Sequence, residues 1–212
     1  MPLYHHRHLE PAGELGLWKI EEGESWFREQ LLLSPAELRQ LSHISGRKRV
    51  EWMAVRHLVH VMSGRNERGA FLKDEYGKPH LEGSAWQISI SHSDSMAAAI
   101  AAPRLVGVDI QHLVEKIYRL APRFMRPEET SSLQAAHRLE HIHVYWGAKE
   151  SLYKAYGRRK LDFLENMIVT PFEFRPEGGE TTGLVIKDDE KLEFRVHYEM
   201  MDAYILVYTV QI

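Results

Sequence analysis

The chain has 212 residues, 44% of them hydrophobic and 27% charged, enough to bury a real core as one large domain or two small joined ones. A formal net charge of −3 argues against a general nucleic-acid binder, which carries a basic excess, and the absence of cysteine excludes a disulfide framework, a thiolate nucleophile and Cys-ligated zinc. The first eight residues lack the apolar core of a signal peptide, and no apolar run approaches the roughly 20 residues that span a bilayer, so the expected location is the cytoplasm, with neither membrane nor nucleic acid as a partner.

In chain order, Leu15-Gly16-Leu17-Trp18-Lys19-Ile20 alternates as a strand. Ser34-Pro35-Ala36-Glu37 starts a helix, with Ser as the cap, Pro at the first helical position and Glu at the third. A longer helix runs from about Arg47 to Met62, with Val50, Met53, Ala54, Leu58 and Val61 on one face and Arg49 and Arg56 together on another, and Ser63-Gly64 ends it. Asp74 to Pro79 makes a turn, Gln87 to Asp94 a strand entering a polar loop, and Met96 to Ala102 a small apolar strand stopped by Pro103. Val106 to Ile110 is a buried strand with one carboxylate, Asp109.

Helical material follows from Pro122 to about Leu139, broken at Pro127. A well-patterned helix then runs from Ile142 to Tyr156, with Val144, Ala148, Leu152 and Ala155 as its core stripe and Trp146, Lys149, Glu150, Tyr153 and Lys154 on the neighbouring surface. Strands are predicted at Met167–Val169, Phe172–Phe174, Gly183–Ile186, Leu192–Val196 and Ala203–Val210. Each half therefore offers helices and strands, which predicts an α+β protein of two similarly sized halves, residues 1–103 and 104–212, with a cleft at their junction.

Asp109 and Glu150 stand 41 positions apart in the chain. A carboxylate between Val108 and Ile110 is costly if unpaired; it either faces solvent at the strand end or is satisfied by a cation. Mg²⁺ takes a few carboxylates together with phosphate oxygens and water, so Asp109 and Glu150 suffice for it with a diphosphate. Taken alone, Glu150 and Lys154 read as a solvated ion pair one turn apart. His5-His6-Arg7-His8 at a mobile terminus makes a poor metal site, and His137, His141 and His143 near a helix junction do not make a zinc site. Trp52, Tyr145 and Tyr156 read as packing residues.

Gly107-Val108-Asp109 followed by Trp146-Gly147-Ala148-Lys149-Glu150-Ser151-Leu152-Tyr153-Lys154 resembles the hallmark of the Sfp-type 4′-phosphopantetheinyl transferases, of the holo-acyl-carrier-protein synthase superfamily. Gly77-Lys78-Pro79 and Ser89-Ile90-Ser91-His92-Ser93 agree with further motifs of that family, so the likeness spans residues 75–157. The resemblance implies a pseudo-dimeric fold of two similar α+β halves with the active site at their junction, a monomer in which internal duplication replaces a subunit interface. It implies transfer of the phosphopantetheine arm of coenzyme A to a serine of an apo acyl or peptidyl carrier protein, with Mg²⁺ and release of 3′,5′-ADP.

By the same resemblance, Asp109 and Glu150 bind the metal, Glu150 is the leading base with Glu129 second, and Lys154 and Lys149 offset phosphoryl charge. Arg49 and Arg56 resemble residues that clamp the 3′-phosphate, Lys78 reaches the nucleotide, and Ser91 and His92 contact phosphate or ribose. The segment holding Leu113, Val114, Ile117, Tyr118, Arg119, Arg123, Phe124, Met125 and Arg126 meets the carrier, although part of it must fill the core. Family members carry an acidic third ligand two places after the Asp, where this chain has Gln111, which can offer the metal a neutral carbonyl oxygen or hold a metal-bound water; one negative charge fewer implies weaker binding or altered metal preference rather than inactivity, and Gln111→Glu should tighten Mg²⁺ binding. Ala148 is a second, mild departure. The alternative is a non-catalytic CoA- or carrier-binding module; an ATP-dependent phosphotransferase lacks its glycine loop here.

Overall fold

Two antiparallel sheets organise the chain in the computed structural model, which describes residues 3–158 and 160–212. The mixture of helices and antiparallel sheets is α+β, and the chain divides into two units, Met1–Pro103 and Arg104–Ile212.

The first unit contains β1 (Leu3–His8), β2 (Glu14–Lys19), α1 (Glu24–Gln30), α2 (Pro35–Ser42), α3 (Lys48–Ser63), β3 (Phe71–Lys73), β4 (Pro79–Leu81), β5 (Gln87–Ser93) and β6 (Met96–Ala102). Its sheet has the order β1-β2-β6-β5-β4-β3. The alanines of β6 let α3 lie close over the sheet, and Gly16 on β2 does the same: a Cβ there would stand 2.5 Å from Met62 Sδ. Met53, Ala54 and Leu58 are sealed in this core, but Val61 is exposed, and Val55, Val59 and Met62 complete the buried face instead. The terminal histidines are not on a loose end: His5, His6 and His8 lie on β1, paired to β2, with His6 Nε2 3.1 Å from Glu14.

Ser34 and Glu37 form a reciprocal capping box, Glu37 N donating to Ser34 Oγ at 3.3 Å and Ser34 N to Glu37 Oε2 at 3.0 Å. That leaves Glu37 inside the unit, where Arg68 and Arg56 neutralise it.

The second unit contains β7 (Val106–His112), α4 (Ile117–Leu120), α5 (Pro127–Ser131), α6 (Arg138–Tyr156), β8 (Met167–Val169), β9 (Gly179–Lys187), β10 (Glu190–Met201) and β11 (Tyr204–Gln211). Its sheet order is β7-β11-β10-β9-β8, with α6 packed on one face through fully buried Val144, Ala148, Leu152 and Ala155. Pro127 does not break a helix but opens α5 at its first turn. Phe172-Glu173-Phe174 alternates like a strand yet pairs with no strand among the described residues; Phe174 is buried against His141 and Tyr198.

Two glycines set the distance between α6 and the sheet. A Cβ on Gly107 of β7 would lie 1.8 Å from Ser151 O, and one on Gly147 of α6 would lie 2.6 Å from Val207 Cγ2. At Gly107 the strand meets the backbone of α6 directly, whereas at Gly147 the helix meets the side chains of Val207 and Gln111.

Candidate active site

The close approach at Gly107 and Gly147 is what brings the acidic side chain of β7 to α6. Along β7, Val108 and Ile110 point to one face and Asp109 to the other, as strand alternation requires. Asp109 is 7% exposed and satisfied from two directions. Lys154 Nζ donates to Asp109 Oδ1 at 2.8 Å and to Val108 O at 2.9 Å, while Gln111 Nε2 donates to Asp109 Oδ2 at 3.3 Å.

One turn before Lys154, Glu150 is half-buried on α6. Burial, then the neighbouring negative charge of Asp109, raise its pKa; Lys154 opposes them without cancelling them. Two neighbouring carboxylates in a partly dry site, one of them paired with Lys154, make a donor pair that fits a hard divalent cation completed by phosphate oxygens. Among the described residues no group of three or more His, Asp or Glu side chains is gathered as metal ligands.

Lys149 belongs elsewhere. It is not on the exposed stripe with Glu150 and Lys154 but fully buried, its Nζ donating to Phe124 O at 2.5 Å and Phe163 O at 3.0 Å and pairing with Glu129 Oε2 at 2.8 Å. Burial lowers the lysine's pKa and Glu129 pulls it back. Glu129 in turn is 1% exposed and accepts from Arg126 N at 2.8 Å and from Val169 N at 2.9 Å. This buried pair ties α5 and β8 to α6. Neither member presents a charge to a ligand, which corrects the expectation of a phosphate contact at Lys149 and a base at Glu129.

Gln111 also departs from its expected role. Its carbonyl Oε1 lies 2.8 Å from His143 Nδ1, and its amide Nε2 faces Asp109 and His143 O, the latter at 3.0 Å. Toward the carboxylate it offers a donor and not a ligand oxygen.

In the first unit the predicted nucleotide contacts separate. Arg49 grips Glu24 with Nε at 2.9 Å and Nη2 at 2.8 Å, and spends Nη1 on Leu41 O and Ile44 O. Arg56 is 3% exposed, lies 3.3 Å over the Trp52 ring, and has its pKa lowered by burial to about 9. Arg56 is a structural cation rather than a solvent-facing clamp, while Arg49 is part-exposed and held by Glu24. Lys78 is buried within the Asp74–Lys78 turn, where Asp74 Oδ1 accepts Lys78 N at 2.9 Å. Ser91 is buried on β5, and the next residue, His92, stays partly exposed with Nδ1 2.9 Å from Glu51 on α3.

Sequence reasoning weighed His143 only as a zinc ligand and took the two contact glycines only as parts of motifs. A glycine in mid-helix, Gly147, is the signal that was present, since it costs helix stability unless something approaches closely.

Residues 105–209 match the family model described as the 4′-phosphopantetheinyl transferase superfamily. The chain is 26% identical over 158 residues to the 4′-phosphopantetheinyl transferase gsp of Aneurinibacillus migulanus, covering 73% of this chain and 63% of that protein. It is 31% identical over 93 residues to a 4′-phosphopantetheinyl transferase of Bacillus subtilis, covering 42% of each. The match thus spans less than two thirds of either relative's length.

Proposed function

Because residues 105–209 of this chain belong to the 4′-phosphopantetheinyl transferase superfamily, we propose that it transfers the 4′-phosphopantetheine arm of coenzyme A to a serine of an apo acyl or peptidyl carrier protein, releasing 3′,5′-ADP. The observation that carries the reading is the meeting of Asp109, Glu150 and Lys154 where α6 touches β7. Transfer of a phosphoryl group asks a protein mainly for positioning and charge, and this site offers both.

Asp109 and Glu150 would hold Mg²⁺, which would withdraw charge from the diphosphate. Glu150 would also take the proton of the carrier serine. The serine oxygen bonds to the phosphorus on the pantetheine side as the bond to the departing 3′,5′-ADP oxygen breaks. Lys154, half-exposed beside Asp109, sets a positive charge against the negative charge that grows on the phosphoryl oxygens. Ser91 and the partly exposed His92 serve as nucleotide contacts, and Arg49, Arg56 and Lys149, already engaged, are left out of the binding set.

For the carrier, the second unit offers a groove of about 580 Å³ lined by Tyr118, Ala121, Pro122, Met125, Leu133 and Ile142, with Arg138 at its wall. Exposed Val114, Arg119 and Arg123 lie in the same segment, whereas Ile117, Phe124 and Met125 are buried in the core. Apolar surface with scattered cations suits an acidic helical carrier. A monomeric, cytoplasmic enzyme completes the proposal; no helix among the described residues is long and apolar enough to cross a membrane.

Intact mass spectrometry of an apo carrier protein incubated with the chain, CoA and Mg²⁺ tests this. A gain of one phosphopantetheine mass that disappears with EDTA is expected. No gain on several unrelated carriers, alongside measurable CoA binding, replaces the transferase with a non-catalytic binding module.

A further inference from the structure

Two histidines of α6 sit two residues apart, and both are buried. His141 fills an aromatic pocket, and its Nε2 has no hydrogen-bond partner. His143 is bonded at both ring nitrogens. Val114 N donates to its Nε2 at 3.1 Å, Val114 O stands 3.2 Å from the same atom, and Nδ1 lies 2.8 Å from Gln111 Oε1. Gln111 Oε1 only accepts, so Nδ1 carries the proton; Nε2, which stands near both the N–H and the carbonyl of Val114, is then the acceptor of that N–H in the neutral ring. The ring is neutral, in keeping with a pKa lowered first by burial.

The far end of Gln111 fixes which way its amide lies. Nε2 donates to His143 O at 3.0 Å and to Asp109 Oδ2 at 3.3 Å. Turning the amide over would set an oxygen against a carbonyl and a carboxylate, and an N–H against the N–H of His143. Hydrogen bonds therefore run in one direction, from Val114 to His143 to Gln111 to Asp109, through side chains that are buried or half-buried. An apolar residue would fill the place of His143 but would not hold this chain of donors together.

We propose that His143 is a positioning residue for Asp109: acting through Gln111, it keeps position 111 as a donor to the Asp109 carboxylate and out of the cation's ligand set. The role rests on the reading of Asp109 and Glu150 as a divalent-cation site. It reverses the expectation drawn from sequence for Gln111→Glu. A glutamate here would face Asp109 Oδ2 and His143 O, so it adds repulsion where the family's third ligand would add affinity.

The test is a double-mutant cycle on the full chain, read by titration with Mn²⁺ alone and electron paramagnetic resonance of the free ion. His143→Leu should weaken Mn²⁺ binding about fivefold, the worth of one hydrogen bond, when Gln111 is present, and not at all in a Gln111→Ala background. His143→Asn, which keeps an N–H close to the place of Nδ1, should hold wild-type affinity. Gln111→Glu should bind no more tightly than wild type. In metal-free protein, the Gln111 side-chain amide should exchange slowly with solvent in wild type and His143→Asn and quickly in His143→Leu.

Equal losses in both backgrounds, tighter binding by Gln111→Glu, or a slow Gln111 amide in His143→Leu each overturn the proposal. If wild type shows no Mn²⁺ binding that Asp109→Ala removes, the cation site fails and the role of His143 fails with it. The amide exchange then still reports whether His143 holds Gln111, so the two failures are told apart.

Discussion

Replacing Lys149 by Met separates a structural lysine from a ligand-binding one. Met fills a similar volume without a charge, so the change deletes the three contacts of Nζ: to Phe124 O, Phe163 O and Glu129 Oε2. Glu129 keeps its bonds from Arg126 N and Val169 N but stays in the interior as an unbalanced carboxylate, and two carbonyls lose a donor. Breaking a buried pair by removing one partner costs about 3–5 kcal/mol. For a chain of this size each kcal/mol moves the melting temperature by about 2–4 °C, so Lys149→Met should melt about 10 °C below wild type in calorimetry at pH 7. Adding Glu129→Gln removes the stranded charge and should recover part of the loss, a coupling on the order of 1–3 kcal/mol. The reasoning is refuted by a Lys149→Met protein that melts within about 2 °C of wild type and binds CoA weakly, since that lysine would be serving the ligand and not Glu129.

Three other changes have defined outcomes. Asp109→Ala should cut metal-dependent transfer at least about a hundredfold while far-ultraviolet circular dichroism stays unchanged; undiminished turnover removes Asp109 from the cation site. Glu150 holds its proton more tightly when folded than its ordinary 4.5, because of burial and Asp109, so wild-type stability falls as pH rises through that raised value. Glu150→Gln should accordingly melt higher than wild type at pH 7 and no higher below pH 4.5, and equal melting at pH 7 contradicts the assignment. His141 has the opposite sign: burial, then His137, lower its pKa to about 4 from 6.5, so the unfolded chain takes up the proton first and stability drains away as pH falls across that window. His141→Phe, stacked on Tyr145 and tilted against Phe172, should remove about 3 kcal/mol of that pH dependence, and a variant with an unaltered profile would show that other groups carry it.

What could be read from residues alone was whatever depends on period and local chemistry. The core stripe Val144, Ala148, Leu152 and Ala155 follows from helical spacing, and the Ser34–Glu37 cap from adjacent residue types. Lys149 was misplaced because periodicity tells which face of α6 meets its own sheet. It does not tell that the Ala121–Glu129 segment and Phe163 cover the next face and supply a carboxylate and two carbonyls. Arg56 failed for the same reason: its partner Glu37 is drawn inward by a helix cap distant in sequence. Val61 satisfies the apolar spacing of α3 but is exposed near the end of that helix, and Phe172–Phe174 alternates without a paired strand among the described residues. In the candidate site, residue types were enough to single out Asp109, Glu150 and Lys154. The direction of an amide at Gln111 was not, since it depends on a histidine 32 positions away.

Gly107 and Gly147 carry a consequence for how such a site can vary. A core side chain can be exchanged for another of similar size because its neighbours shift rotamers, but a backbone oxygen 1.8 Å from the place of a missing Cβ has no rotamer to change. In a library covering every position of the chain, Gly107 should be as intolerant as the carboxylates, and Gly147, which faces the side chains of Val207 and Gln111, less so, although neither can touch a substrate through a side chain. The hollow of one absent methyl group is the register mark by which a helix and a strand are aligned, and any inherited change of chemistry here has to leave that mark in place.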